Sequence, residues 1–471
     1  MSDLSQIVKA YDVRGIVPDQ WDERAAEALG AAFAQLLRES PTGDASADRA
    51  ADRVETVVVA HDMRDSSPGL AAAFGAGARS EGLSVIEAGL GSTDMLYYAS
   101  GVLGLPGAMF TASHNPAKYN GIKMCRVGAR PIGQDSGLAE IRDRAQAILD
   151  GGTDRPADRP RGDSRRRDLL ADYAAHLRGL VDLSGIRPLK VVVDAGNGMG
   201  GYTVPAVLGD AVLPALPLTI VPLYFELDGS FPNHEANPLD PANLVDLQRA
   251  VREHGADLGL AFDGDADRCF AVDERGEPVS PSAITALVAV RELAKHPGST
   301  VIHNLITSRA VPEIVAEHGG RPVRSRVGHS FIKAEMARTD AVFGGEHSAH
   351  YYFRDFWFAD TGMLAAMHLL AALGEQDRPL SELAEKYERY VASGEINSTV
   401  PDQAAKMSEV RRAYPDAEAD ELDGLTLRFP DGAWINLRAS NTEPLLRLNV
   451  EAPTAERMTA LRDEVLGRVR A

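Results

Sequence analysis

The sequence predicts an α/β protein of four domains: three similar mixed-sheet α/β domains followed by a smaller C-terminal α+β domain. Three observations carry this reading. The chain has 471 residues, too many for one hydrophobic core. Short β-branched runs alternate with helix-length stretches three times along it, the pattern of strand–helix units. From about Arg389 the pattern changes to hairpin-like strands between two helices. The expected domains are residues 1–158, 159–277, 278–388 and 389–471.

Composition narrows the function classes. Hydrophobic content of 44% and charged content of 25% are those of an ordinary globular chain. A net charge of −19 argues against general nucleic-acid binding and against an anionic membrane surface. Any anionic substrate must therefore meet a local basic pocket. Residues 1–20 lack the apolar core of a signal peptide. The longest apolar stretch, around Met363 to Leu373, is too short to span a bilayer. Two cysteines far apart, Cys125 and Cys269, argue against a disulfide framework and for a reducing cytoplasm. Monomer and homodimer both remain open.

In the first domain, Trp21 to Glu39 has helical apolar spacing, Val54 to Ala60 is a β-branched strand, and Ser66 to Gly82 is a helix with Pro68 in its first turn. Strands are expected at Val85–Ala88 and Gly107–Phe110, and a helix at Ser136–Leu149. The second strand runs into Thr111-Ala112-Ser113-His114-Asn115-Pro116. A serine there is exposed at a strand end, where α/β proteins place their chemistry, although a hydrogen-bonding turn uses the same residues. Tyr11-Asp12-Val13-Arg14-Gly15 precedes the first helix. His61-Asp62-Met63-Arg64-Asp65-Ser66-Ser67 follows the first long strand. A lone arginine in either is more often a surface ion pair than a ligand contact. Gly151 to Arg167, rich in Pro, Asp and Arg, is a linker.

The second domain offers a helix at Leu169–Leu180, a strand at Lys190–Asp194, a glycine turn at Ala195–Gly200, a helix at Leu244–His254 and a strand at Asp257–Phe262. That last strand leads into Asp263-Gly264-Asp265-Ala266-Asp267-Arg268. Three carboxylates at alternate positions suit a hard cation, Mg²⁺ or Ca²⁺. A calcium loop would put glycine where Arg268 stands and helices where the flanks read as strands, although Glu274 falls at its twelfth position.

The third domain has helices at Ala283–Lys295, Ser308–His318, Ser330–Arg338 and Gly362–Leu373, and strands at Thr300–His303 and Ala341–Phe343. It carries Gly345-Glu346-His347-Ser348-Ala349-His350, dense in hydroxyl-binding groups. His347 and His350 are compatible with zinc, but no HExxH pattern or cysteine partner accompanies them. The fourth domain pairs Leu425–Phe429 with Trp434–Leu437 across Pro430-Asp431-Gly432, then presents Arg438-Ala439-Ser440-Asn441-Thr442-Glu443-Pro444. One arginine with several hydroxyl and amide groups suits phosphate. Strand Leu445–Glu451 and helix Thr454–Val469 close the chain.

Taken in order, Thr111–Pro116, Asp263–Arg268, Gly345–His350 and Arg438–Pro444 resemble the four signature loops of the α-D-phosphohexomutase superfamily. The resemblance covers essentially the whole chain. Gly91–Tyr98 and Gly345–Phe353 look like the bacterial phosphomannomutase branch, with phosphoglucomutase close by. Ala266 departs from the pattern, since many relatives have glycine there; both are small, and the metal geometry should survive.

The resemblance implies four domains around a central cleft and a phosphoryl group carried on Ser113. It implies Mg²⁺ on Asp263, Asp265, Asp267 and an oxygen of the Ser113 phosphate. Arg268 and Arg14 would steady the transferring phosphoryl, and Lys123 or His350 would move the sugar proton. Glu346, Ser348, His350 and His329 would bind sugar, and Arg438, Ser440, Asn441 and Thr442 the non-reacting phosphate. The implied reaction interconverts mannose 6-phosphate and mannose 1-phosphate, or the glucose pair, through a hexose 1,6-bisphosphate, which also acts as activator. A metal-dependent phosphatase would share the aspartates but use an aspartate nucleophile.

Overall fold

A computed structural model of the chain describes residues 2–39, 54–152, 160–439 and 445–471. The chain divides into two compact units: Met1–Val279 with Ser348–Ser381, and Ser280–His347 with Glu382–Ala471.

The first unit begins with a seven-stranded sheet. Its order is Val13–Ile16, Tyr119–Arg126, Gly107–Phe110, Thr56–His61, Ser84–Leu90 and Ser164–Arg166, with Arg130–Pro131 added beside Tyr119–Arg126. The four strands from Gly107–Phe110 to Ser164–Arg166 are parallel, and the rest pair antiparallel. Helices Glu23–Glu39 and Ser67–Ser80 approach at backbone distance. A Cβ on Gly77 would meet the Glu27 carbonyl at 1.9 Å, so the contact admits only glycine. Trp21, Phe33, Phe74 and Phe110 are fully buried between these helices and the sheet, each contributing about 1.5–3 kcal/mol by burial.

Among the elements that escaped the periodicity argument, two have a readable reason. Helix Thr93–Leu103 is buried on every side from Thr93 to Ser100, so it has no amphipathic stripe to read. Its ends are nonetheless marked: Ser92 accepts from the Met95 N–H, Asp94 lies in the first turn, and Gly104 closes it at φ 64°. Ser164–Arg166 falls inside the expected linker. It joins the sheet edge by main-chain pairing with Val85–Glu87, which polar side chains do not announce.

The second sheet of this unit runs Pro278–Val279, Cys269–Asp273, Leu258–Phe262, Leu189–Asp194 and Leu218–Leu223. Leu258–Phe262 is parallel to Leu189–Asp194 and antiparallel to Cys269–Asp273. The link between its two antiparallel strands is the segment Asp263–Arg268. The hairpin Tyr351–Phe353/Ala359–Asp360 and the helix Gly362–Gly374, capped by Thr361, complete the unit.

In the second unit, Arg321–Ser325, Thr300–Asn304 and Phe343–Gly345 are parallel, with helices Pro281–Lys295, Ala310–Glu317 and His329–Thr339. A five-stranded antiparallel sheet follows, ordered Val391–Thr399, Leu445–Ala452, Trp434–Ala439, Leu425–Arg428 and Glu418–Asp420. Helices Gln403–Ala413 and Ala455–Arg470 cover a core that includes Ile435, Leu437, Leu448 and Val465. This is the predicted C-terminal α+β part. No described helix is long and apolar enough to cross a membrane.

Candidate active site

Two strand ends meet in the first unit. Gly107–Phe110 leads into the Ser113 turn, and Leu258–Phe262 leads into Asp263–Arg268. The turns touch through main chain: a Cβ on Gly264 would lie 2.3 Å from the Ser113 carbonyl oxygen. Ser113 has φ 49°, a left-handed conformation costing about 1 kcal/mol for an L-residue. Its N–H donates to Thr111 Oγ1 at 2.9 Å. The Ala195–Gly200 turn supports the other side, where the Met199 N–H donates to the Gly264 carbonyl at 2.9 Å.

Ser113 is 5% exposed, and its hydroxyl sits between opposite charges. It donates to Asp263 Oδ2 at 2.7 Å and accepts from Arg268 Nη2 at 3.0 Å. Arg268 also donates to Asp263 from Nε and Nη2, at 2.9 and 2.6 Å. The same Nη2 donates to His114 Nδ1. The Arg268 charge, with burial, holds His114 well below its usual pKa, so it faces the serine as a neutral ring.

Asp263, Asp265 and Asp267 are each at most 1% exposed. One carboxylate oxygen from each lies within 4.8 Å of the others. Lys123 Nζ stands 2.7 Å from Asp265 and 2.6 Å from Asp267. Three buried carboxylates thus face two cations, Lys123 and Arg268. Burial pushes Asp263 up to about 7, with Asp265 and Asp267 adding to the rise against Arg268. Burial also acts to raise Asp265, but the Lys123 charge and hydrogen bonds from Lys123 and Thr93 outweigh it and hold Asp265 well below the carboxylate range. Lys123 itself would be lowered by burial, but Asp265 and Asp267 drive it well above its usual value. It is a firm cation.

A divalent cation fits this set. Oδ1 of Asp265 and Oδ1 of Asp267 are buried and accept no hydrogen bond among the described residues, a costly state for carboxylate oxygens unless a cation meets them. Oxygen-only donors suit Mg²⁺. Ala266 turns the loop at φ 58°. A left-handed position is the physical reason a glycine would stand there at less strain.

Other predicted residues gather at the same place. Arg14 Nη1 donates to Asn115 Oδ1 at 2.6 Å and to the Ala112 carbonyl at 3.2 Å, while Nη2 pairs with Asp12 at 2.6 Å. His350 is joined to the Asp263–Arg268 loop by a main-chain bridge with Arg268. Its Nε2 is 3.8 Å from Asp267 Oδ1, and its Nδ1 lies 3.0 Å from Ser348 Oγ.

Glu346, His329 and Arg438 belong to the second unit. Glu346 Oε1 accepts from Asn304 Nδ2 at 3.1 Å and from the Gly328 N–H at 3.2 Å, which sets it beside His329 at the start of its helix. His347 Nδ1 lies 3.2 Å from Ser282 Oγ. Arg438 Nη2 donates to Glu395 at 3.2 Å, and its buried Nε finds no partner among the described residues. Ser440, Asn441 and Thr442 lie outside the described residues.

Sequence reasoning gave no role to Thr93 or Asp94. Thr93 Oγ1 donates to Asp265 Oδ2 at 2.5 Å. Asp94 is a buried hub accepting from Ser92 Oγ, Tyr173 OH and Thr361 Oγ1. The signal was the helix start at Ser92-Thr93-Asp94, whose side chains read as caps.

Sequence models of one family match the chain in four consecutive pieces. They are the phosphoglucomutase/phosphomannomutase alpha/beta/alpha domain I at residues 5–150, domain II at 171–276, domain III at 280–390 and the C-terminal domain at 395–468. A phosphohexose mutase of Xanthomonas campestris pv. campestris is 42% identical over 448 residues, 94% of each chain. A phosphomannomutase of Salmonella typhimurium (strain LT2) is 39% identical over 451 residues, again 94% of both. The crystal structure of a phosphoglucomutase/phosphomannomutase family protein from Burkholderia thailandensis aligns with a TM-score of 0.85 at 31% identity, covering 100% of this chain and 98% of that one.

Proposed function

The chain belongs to the phosphoglucomutase/phosphomannomutase family, and from that premise we propose that it interconverts hexose 6-phosphates and hexose 1-phosphates, mannose being the preferred sugar, with Ser113 as phosphoryl carrier. The observation that carries this reading is the Ser113 hydroxyl, held 2.7 Å from Asp263 and 3.0 Å from Arg268 above three buried aspartates.

In the resting enzyme Ser113 Oγ bears the phosphoryl group. A hydroxyl oxygen of the bound hexose monophosphate attacks the phosphorus; the new O–P bond forms as the Oγ–P bond breaks. The hydroxyl proton needs an acceptor within hydrogen-bond reach. His350, tethered by Ser348, is the better base of the two family-matched residues, because Lys123 is already a firm cation. Lys123 instead stabilises the charge gathering on the phosphoryl oxygens, and the proton taken up by His350 is the one the Ser113 oxygen recovers as it leaves. Arg268 and Arg14 steady the group in transfer. Mg²⁺ held by Asp263, Asp265 and Asp267 would supply Lewis-acid charge neutralisation at the phosphoryl group. The product is a hexose 1,6-bisphosphate and free Ser113. Reversal with the other phosphate gives the isomer and restores the carrier, so added bisphosphate recharges unloaded enzyme and acts as activator.

One site must take the sugar both ways round. Glu346, Ser348 and His329 are assigned to its hydroxyls, and Arg438, with Ser440, Asn441 and Thr442, to the phosphate that is not reacting. Cys125 and Cys269, both buried as thiols, suit a cytoplasmic setting.

The deciding experiment compares initial rates on mannose 1-phosphate and glucose 1-phosphate, with intact mass of the purified protein. Faster turnover of the mannose ester, and one phosphate mapping to the Ser113 peptide and absent from Ser113→Ala, is the expected result. Inorganic phosphate released at the turnover rate, or a phosphate mapping to Asp263–Asp267, would replace this reading with a phosphatase.

A further inference from the structure

We propose that Arg64 is the positioning residue of Ser113, holding the serine's turn by its main chain. The kinetic consequence rests on the phosphoserine reading above; the structural one does not. Arg64 is 1% exposed. Its Nη2 donates to the carbonyls of Ser113 at 2.9 Å and Asn115 at 2.7 Å. Its Nη1 donates to those of Pro116 and Tyr119, both at 3.0 Å. Its Nε donates to Asp62 Oδ2 at 3.2 Å. All five guanidinium donors are therefore used, four of them on the segment that begins with Ser113. None reaches Ser113 Oγ or the carboxylates of Asp263, Asp265 and Asp267. Arg64 works through the turn and not on the phosphoryl group.

The surroundings fix the fork in place. Asp62 is fully buried; it also accepts from the Arg64 N–H at 3.0 Å and from Ser67 Oγ at 2.5 Å. Asn120 Nδ2 ties Ser66 and Ser67 to the strand beyond the turn, at 2.8 and 2.9 Å. The Phe231 ring lies 5.0 Å from the guanidinium carbon. A Cβ on Gly229 would meet Arg64 Cα at 2.7 Å, so the Phe231 segment lies directly against the arginine. The segment His61–Ser67 is thus a cradle for the carrier loop.

The chemistry explains the need. Ser113 is left-handed and would relax if its carbonyl were free to turn. Relaxation would move Oγ away from Asp263 and Arg268, and a displacement of about 1 Å at a reacting atom costs roughly a hundredfold in rate. Lysine keeps the charge but offers three donors on a flexible stem, without the planar fork.

The test is Arg64→Lys in the full chain, with Asp62→Asn as a second variant should the first not fold. Hydrogen exchange is read on peptides covering 111–120 and on the rest of the first unit, beside kcat and KM. We expect exchange in 111–120 to rise about tenfold or more while other core peptides hold, kcat to fall at least about tenfold, and KM to stay within about threefold. Unchanged protection in 111–120 overturns the proposal whatever the activity. Protection lost across the whole unit also overturns it, since Arg64 would then hold the fold and not the turn. Accelerated exchange in 111–120 with kcat intact likewise removes the catalytic consequence and overturns the positioning role. If wild-type protein shows no mutase activity, the functional reading fails, and the exchange pattern still decides what Arg64 holds.

Discussion

Thr93 and Asp265 stand 172 positions apart, yet Thr93 donates its hydroxyl to Asp265 Oδ2 at 2.5 Å and its N–H to the Asp265 carbonyl at 3.1 Å. The start of a helix in the first sheet's layer thereby orients a carboxylate of the Asp263–Arg268 loop after a strand of the second sheet. Such outer partners of metal ligands typically change metal affinity or activity by about 10–100-fold when removed. Thr93→Val should raise the Mg²⁺ concentration for half-maximal activity by about tenfold in chelator-stripped enzyme. A Mg²⁺ titration superimposable on wild type would deny Thr93 that role.

Lys123 neutralises Asp265 and Asp267 in a buried setting. Lys123→Gln takes the nearest cation from both carboxylates, and removing one partner of a buried ion pair costs about 3–5 kcal/mol. The variant should melt well below wild type in chelator, and Mg²⁺ should recover more Tm for it than for wild type, since ligand binding stabilises the folded state. Equal Mg²⁺ shifts in the two proteins would mean that lysine and metal do not share the cluster's charge.

The contact between Gly264 and Ser113 leaves no room for a side chain. A Cβ there would sit 2.3 Å from the Ser113 carbonyl oxygen, and overpacking against backbone costs about 1–3 kcal/mol. Gly264→Ala should lower both Tm and kcat, and the kcat loss should persist at temperatures where the protein is fully folded. A fully active, equally stable variant would show that the two loops can part without consequence.

Asp94 has a pH signature. Burial pushes it up to about 6, against hydrogen bonds from Ser92, Thr361 and Tyr173 and a small upward push from Asp267. The folded state therefore binds its proton more tightly than the unfolded chain, where the value is near 3.8. Its contribution favours folding at low pH and is lost as pH rises through about 6. Between pH 5 and 7.5 that loss is about 1 kcal/mol. Denaturant melts of wild type and Asp94→Asn across this window should differ in slope by that amount. Parallel curves would place the Asp94 pKa near its ordinary value.

Arg438 has a buried Nε with no described partner and one bond to Glu395. Arg438→Ala should raise KM for both hexose monophosphates by at least about tenfold, from the loss of a charge-assisted contact of about 1.5–3 kcal/mol. An unchanged KM moves the non-reacting phosphate to other residues.

Much of this protein was legible in one dimension. The strands Gly107–Phe110 and Leu258–Phe262 are short, apolar and bounded by turn residues, so local chemistry marks them and the loops they feed. The alternate spacing of Asp263, Asp265 and Asp267 suits a hard cation whatever fold surrounds it. The tertiary structure decided which groups face one another. Helix Thr93–Leu103 had no periodicity because it is buried all round. Ser164–Arg166 became a strand only through main-chain pairing. Arg64 read as an ordinary surface charge, since a sequence does not say that four carbonyls of one turn will converge on it. That Lys123, not solvent, neutralises Asp265 and Asp267 is likewise a product of folding. Propensity and spacing act over a few residues, whereas Coulomb energies and hydrogen bonds between positions 64 and 113, or 123 and 265, exist only once the strands are side by side.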